Sequence, residues 1–308
     1  VSTQSTGKMS QYQMEAQALR SAMKGTGTDE AMIIQVASCR NFLQREQISK
    51  AFLAQFGLEL DLELKKELSG NFEPLMRAVF KNRHGFWAEA LNKAISGSGT
   101  DNKKLIQLVL LLSDKDIPEV QKHYNLLYQR SMVGDISNDL DKKDWNRLLK
   151  AWLAGKHSVQ FQAEQSADDL FNAAKGMGTD EDVFINILGN STHESYRAIN
   201  VAFFKKYKKE LRDVIKSEFS LNSKLAFMLA HDYLNNPLEA ISNTIFKSID
   251  GAGTDDQMLI AVTALFADYY RGEPIKTAYL TNGDIVKDIK GDTSGSYEKA
   301  LLAMWGLV

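Results

Sequence analysis

Apolar residues recur along this chain at intervals of three and four positions, which is the spacing of one face of an α-helix. The clearest stretches are Met14, Ala18, Leu19 and Ala22, then Leu105, Leu108, Val109 and Leu112, and later Leu221, Leu225, Met228 and Leu229. The chain of 308 residues has only four prolines and many Leu, Ala and Lys, a composition that favours helices. We therefore expect an all-α fold.

A short glycine-rich segment interrupts the helical pattern four times. Its copies are Met23 to Glu30, Ile95 to Asn102, Ala174 to Glu181 and Ile249 to Asp256. The first glycines of successive copies are 72, 79 and 75 residues apart. Recurrence at nearly constant spacing is typical of an internally repeated architecture, so the chain is expected to contain four copies of one helical unit.

The residue types of this turn indicate what it can do. In the first copy, Gly25 stands where an ending helix needs a left-handed residue. Thr28 stands at the N-cap position of the next helix, and Asp29 and Glu30 fill its first turn. Such a turn can direct several backbone carbonyl oxygens to one spot, which suits a hard cation such as calcium (Ca²⁺). It lacks the Gly-Lys-Ser/Thr ending of a phosphate-binding loop.

Calcium also needs a formal negative charge, and an acidic residue follows each turn at a nearly constant distance. Residues 44 positions apart are Met23 and Glu67, and also Ala174 and Glu218, while Ile249 and Asp292 are 43 apart. In the second copy, the same count from Ile95 reaches Asp139. An apparent one-residue insertion there lets Asp141 compete for the role.

These pairs predict three calcium sites, each with three carbonyl oxygens and one carboxylate. The predicted ligands are Met23, Gly25, Gly27 and Glu67; Ala174, Gly176, Gly178 and Glu218; and Ile249, Gly251, Gly253 and Asp292. Weaker candidates are Ile95, Gly97, Gly99 and Asp139 in the second copy, and Thr28 and Glu30 in the first. The alternative is a helix–helix corner without a metal, and this alternative is strongest for the second copy.

The Lys-Gly-x-Gly-Thr-Asp-Glu motif, followed about forty residues later by an acid, resembles the annexin repeat. The resemblance covers about residues 12–308 and is most specific at 180–185 and 290–302. It implies four repeats of about five helices packed into a curved disc, with calcium loops on the convex face. Departures such as Asn102 in the second copy favour a divergent member from a plant or protist, near the alpha-giardins.

The resemblance and the spacing together divide the chain into six parts. These are a short tail at 1–11, repeats at 12–85 and 86–153, a linker at 154–167, and repeats at 168–235 and 236–308. The linker is polar, accounts for the longest spacing between turns, and is expected to join the two halves.

Composition limits the remaining possibilities. A net charge of −2 gives no constitutive attraction to anionic lipid or nucleic acid. No apolar run is long enough to span a membrane, and the polar N-terminus lacks the apolar segment of a secretory signal. The single cysteine, Cys39, fits a reducing cytosol and is expected in the core, as are the four tryptophans.

No enzyme motif is present: the five histidines are scattered, and zinc-protease, hydrolase and dinucleotide patterns are missing. The calcium loop of the EF-hand is missing as well. The chain is therefore predicted not to be an enzyme. The resemblance implies calcium-dependent binding to acidic phospholipids by a cytoplasmic scaffold, peripheral on the cytosolic face of membranes. It would be a monomer in solution, with assembly on membranes left open. The alternative is a cytoskeleton-associated structural protein with partly vestigial calcium sites, partnered by a cytoskeletal protein.

Overall fold

The computed structural model describes residues 9–96, 99–139, 143–175, 178–251 and 253–308. Over these residues the fold is all-α, as expected, with twenty helices and one isolated β-bridge between Val159 and Ser191. The helices form four sets of five, one for each glycine turn. None of the described helices combines the length and apolarity needed to cross a bilayer.

The bounds of the helices follow the repeats. The first set is α1 (Gln11–Ala22), α2 (Glu30–Ser38), α3 (Phe42–Phe56), α4 (Leu60–Glu67) and α5 (Phe72–Phe80). The second is α6 (Arg83–Ile95), α7 (Asn102–Leu110), α8 (Asp116–Tyr128), α9 (Met132–Asp139) and α10 (Asp144–Leu153). The third is α11 (Ala163–Ala173), α12 (Glu181–Asn190), α13 (His193–Tyr207), α14 (Leu211–Glu218) and α15 (Leu221–Asn235). The fourth is α16 (Pro237–Ile249), α17 (Asp256–Tyr270), α18 (Glu273–Tyr279), α19 (Ile285–Asp292) and α20 (Gly295–Met304).

The chain folds into two compact units that do not coincide with its two halves. One unit combines the chain up to Phe86 with Ile245–Val308, and the other is Trp87–Thr244. Within the first unit, α2 packs on α20 and α5 on α17; within the second, α7 packs on α15 and α10 on α12. In both units, therefore, the second helix of each set packs against the fifth helix of its partner set.

The predicted linker at 154–167 is shorter than expected and lies inside one unit. Helix α11 already begins at Ala163. The sequence pattern did not indicate this start, because the first buried residues of the helix, Ser166 and Ala167, are small and do not stand out as an apolar face. The irregular part is held in place, since the N–H of Val159 donates to the Asn190 carbonyl at 3.1 Å. Helix α6 similarly begins at Arg83, ahead of the expected repeat boundary at 85.

The tryptophans lie in the core, as predicted from their apolar positions. The indole N–H of Trp87 donates to the Leu108 carbonyl at 3.0 Å, and that of Trp152 donates to the Leu112 carbonyl at 2.9 Å. Each buried donor thus keeps a partner. The expectation for Cys39 is wrong, because this residue is exposed at the C-cap of α2, where the chain leaves the core.

A buried ion pair joins the first and fourth helix sets inside their common unit. The Arg45 guanidinium meets the Asp268 carboxylate at 2.7 Å and also donates to the Val79 carbonyl at 2.7 Å. Arg45 is 1% exposed. Removing either partner would leave an uncompensated charge in the interior, so this pair commits α3 and α17 to one arrangement.

The second unit buries a histidine, His231 on α15. The amide of Asn235 contacts its Nε2 at 3.0 Å, and because an amide N–H can only donate, Nε2 accepts. The ring proton therefore lies at Nδ1, which donates to the Tyr196 hydroxyl at 2.9 Å. Burial lowers the pKa of His231 to about 4, against a smaller raising effect of Asp232.

This lowered pKa predicts an acid-sensitive second unit. As the pH falls below about 6.5, the unfolded chain binds a proton at His231 that the folded chain refuses until about pH 4. The contribution of His231 to the free energy of unfolding is therefore fully present above pH 6.5. It is lost as the pH falls toward 4, which lowers the free energy of unfolding by roughly 3 kcal/mol. Urea unfolding of wild type and His231→Gln across this range should give a shallower pH dependence for the variant. Equal slopes would contradict the assignment.

Candidate functional site

One backbone hydrogen bond closes the glycine turn in all four copies. The N–H of the aspartate that precedes the second helix of a set donates to a carbonyl in the last turn of the first helix, seven residues earlier. The pairs are Asp29 to Ala22 at 2.9 Å, Asp101 to Ala94 at 2.8 Å, Asp180 to Ala173 at 2.9 Å and Asp255 to Ser248 at 2.7 Å. The turn is therefore a closed loop of constant size.

The closed loop corrects two expectations about helix ends. The N-cap residue of α2 is Asp29, whose side chain accepts from the Met32 N–H, and not Thr28. Helix α1 has its C-cap at Met23, two residues before Gly25. Gly25 has φ of +113° and Gly27 of +97°, so both glycines serve the reversal between the helices and neither caps α1.

The carbonyl oxygens that are predicted to bind calcium and lie in the described part of the chain are free to do so. Within the described residues, no hydrogen bond ends on the carbonyls of Met23, Gly25, Gly27, Ala174, Gly178, Ile249, Gly251 and Gly253. The residues of the first turn from Gly25 to Gly27 are also exposed. A free carbonyl in a solvent-facing turn is a ligand that a hard cation can use.

The predicted carboxylates occupy one position in the fold. Each is the last residue of an eight-residue helix: Glu67 ends α4, Glu218 ends α14 and Asp292 ends α19. In the second copy, Asp139 ends the eight-residue helix α9. This register favours Asp139 over the competing Asp141, which lies outside the described residues, as do Gly97 and Gly176 and the side chain of Asp139.

A threonine hydroxyl connects each of three turns to its carboxylate. The Thr179 hydroxyl donates to Glu218 Oε2 at 2.9 Å, and the Thr254 hydroxyl donates to Asp292 Oδ2 at 3.0 Å. In the first copy, Thr28 lies at 3.5 Å from Glu67 Oε2. The structure therefore places each of these three carboxylates beside the turn with which sequence spacing paired it. The roles of Thr179 and Thr254 were missed, although a threonine precedes the aspartate in every copy.

Two acidic neighbours of the first turn have other partners. Glu30 accepts a hydrogen bond from the Ser296 hydroxyl, near the start of α20. Because Ser296 closely follows Asp292, this bond places the first turn and the fourth carboxylate at the same end of their unit. Glu63 accepts from Arg20 at 2.8 Å and pairs with Lys66 at 2.6 Å, so its charge is already compensated.

The donor set fits calcium better than zinc or copper. Each candidate site offers only oxygen atoms, from backbone carbonyls and one carboxylate, and oxygen is the ligand that hard cations prefer. Among the described residues, no group of three or more His, Cys, Asp or Glu side chains could hold a metal. The binding of calcium at these turns stays a prediction, in which most of the ligands are backbone carbonyl oxygens.

Comparisons with known proteins agree on one family. A family model described as Annexin matches residues 14–79, 86–151 and 165–228. Annexin A13 of Homo sapiens is 32% identical over 296 residues, which cover 94% of this chain and 94% of that protein. Annexin A4 of Rattus norvegicus is 32% identical over 298 residues, which cover 95% and 93%.

Solved structures give the same result. Chicken annexin V superposes with a TM-score of 0.86 at 29% identity, covering 98% of both chains. Calcium-bound alpha-14 giardin superposes with a TM-score of 0.88 at 25% identity, covering 96% of this chain and 99% of that one. The ranges matched by the family model fall on the first three helix sets, and the fourth set carries the same turn, hydroxyl and carboxylate.

The positive φ angles predict how the turn responds to substitution. Gly25→Ala and Gly27→Ala should each lower the free energy of unfolding by roughly 1 kcal/mol, since the cost lies in the backbone. A Cβ at either position meets no atom within 4 Å.

Gly291→Ala is the matched control. Gly291 lies inside α19 without a positive φ, and its Cβ would also meet no atom within 4 Å. Alanine there should raise the free energy of unfolding by roughly 0.5–1 kcal/mol. Chemical denaturation of the three variants measures these values, and the account fails if Gly25→Ala or Gly27→Ala is as well tolerated as Gly291→Ala.

Proposed function

Because this chain belongs to the annexin family, we propose that it binds acidic phospholipid membranes in the presence of calcium, through the turns of its first, third and fourth helix sets. Members of the family in general bind phospholipid in a calcium-dependent way. The observation that carries the proposal is the recurrence, in three copies, of a threonine hydroxyl holding a carboxylate beside a turn with free carbonyls.

The residues of each turn would divide the work. The three carbonyls and a bidentate carboxylate provide about five of the six to eight oxygens that calcium prefers. Calcium, when bound, supplies the positive charge that joins these oxygens to an anionic headgroup. The threonine hydroxyl orients the carboxylate toward the turn, and the open face leaves room for water or a lipid phosphoryl oxygen.

The charge of the site predicts weak binding of calcium alone. Each set of predicted ligands contains one formal negative charge, which corresponds to a dissociation constant on the order of 10⁻⁴ M or weaker. A phosphoryl oxygen would complete the coordination, so calcium and membrane must increase each other's affinity by the same factor. Several such sites in one chain then raise the overall affinity by multivalency.

Other features of the proposal follow from the same role. The protein would act as a peripheral scaffold on the cytosolic face of membranes, monomeric before it binds, and the proposal assigns it no catalytic reaction. The second turn, with Asp139 at the end of α9, is a further candidate site of the same kind. A cytoskeletal partner is the alternative function, which would not require calcium at these turns.

Sedimentation with vesicles separates the two functions. With phosphatidylserine-containing vesicles, the protein should sediment when calcium is added and return to the supernatant with a chelator. The net charge of −2 provides no general attraction to the anionic surface. Equal sedimentation in calcium and chelator, or none in either, would reject the proposal and favour the cytoskeletal role.

The first carboxylate gives a sharper prediction. Glu67→Gln preserves the shape of the side chain and removes the only formal charge among the four predicted ligands of the first site. The calcium concentration for half-maximal vesicle binding should rise roughly threefold to tenfold, because ligand charge sets affinity and other sites remain. Thermal stability without calcium should change little, since Glu67 is exposed.

Glu59→Gln is the matched control for this substitution. Glu59 is exposed, precedes the first residue of α4 and makes no side-chain cap, so it removes the same charge about 12 Å away along the helix. It should leave the calcium requirement unchanged. Glu63 and Glu73 are unsuitable, because they pair with Arg20 and Arg77. If Glu59→Gln and Glu67→Gln have equal effects, diffuse electrostatics explains the binding.

A further inference from the structure

A left-handed residue follows each described site carboxylate by three positions. In the first and fourth copies it is a glycine, Gly70 with φ of +56° and Gly295 with φ of +64°. In the third copy it is Leu221, with φ of +49°. The third copy therefore places a bulky residue where the backbone favours glycine.

Leucine at this position brings the folded protein no visible benefit. In the left-handed region, the Cβ of a non-glycine residue crowds a backbone carbonyl oxygen, so the conformation is strained. The Leu221 side chain is also 89% exposed, so it adds almost nothing to the core. Its neighbour Ser220 is exposed as well, and Asn222 is half-buried. At the matched Gly70 and Gly295, a Cβ would meet no atom within 4 Å, so this corner projects into open space.

The position of Leu221 relates it to the third turn. It lies three residues after Glu218, whose Oε2 accepts from the Thr179 hydroxyl at 2.9 Å. If the third turn docks on lipid headgroups, this corner meets the same surface. A leucine that leaves water for the region of the acyl chains gains the hydrophobic free energy that the fold does not supply.

We propose that Leu221 inserts into the bilayer beside the third turn and strengthens membrane binding there, an inference that rests on the proposed function. A lone apolar side chain between polar neighbours lacks the contiguous apolar patch typical of a protein-binding surface. A fluid bilayer imposes no such requirement, because it accepts one protruding side chain at a time. The first and fourth copies, with glycine at this position, would dock through the turn alone.

The substitution Leu221→Gly tests the insertion without threatening the fold. With phosphatidylserine–phosphatidylcholine vesicles and calcium, the variant should bind about tenfold more weakly, a loss of about 1.4 kcal/mol. Its melting temperature without vesicles should be equal or higher, because glycine relieves the backbone strain. The control is Leu126→Ala on α8, where the leucine is 68% exposed and lies outside the turns; its binding should equal wild type.

A fluorescence measurement locates the side chain directly. All four native tryptophans are buried, so Leu221→Trp provides an exposed indole. Calcium should bring this indole within reach of lipids brominated on their acyl chains and quench its emission. If wild type binds with calcium while Leu221→Gly binds equally well, or the indole stays unquenched, the insertion is wrong and the proposed function stands. If wild type itself does not bind with calcium, both are rejected.

Discussion

The hydrogen bond that closes each glycine turn is the constraint on which the candidate sites depend. By joining the capping aspartate to a carbonyl seven residues earlier, it fixes where one helix ends and the next begins. The chain between these points must reverse within a few residues, which requires positive φ at Gly25, Gly27 and those corresponding glycines that the structure describes. Within the described residues, the reversal leaves the carbonyls of the predicted ligands without intramolecular hydrogen-bond partners, and these carbonyls are the ligands of the proposed function.

The carboxylates come from a separate part of each helix set. Each ends an eight-residue helix, and helix packing carries it to the turn, where a threonine hydroxyl holds it. The proposed site of backbone oxygens and one carboxylate leaves the coordination of calcium incomplete, so a lipid phosphoryl oxygen has a place to bind. The hydrogen bond from Ser296 to Glu30 places two of these proposed sites at the same end of one unit.

Repetition made the fold and the pairing of turns with carboxylates predictable, because duplicated units preserve their spacing. Long-range contacts decided the rest. Thr28 and Asp29 are both good N-cap residues, and the choice between them is made where Thr28 meets Glu67, far along the chain. The pairing of the first helix set with the fourth, and the buried contact between Arg45 and Asp268 that accompanies it, leave no periodic trace in the sequence.

A structure determined with calcium would test the central claim most directly. The account predicts an ion 2.3–2.6 Å from the carboxylate of Glu67 and from the carbonyls of Met23, Gly25 and Gly27. Equivalent ions should lie beside Glu218 and Asp292. Calcium missing from all three turns at millimolar concentration, or bound only through exposed carboxylates elsewhere, would contradict the account.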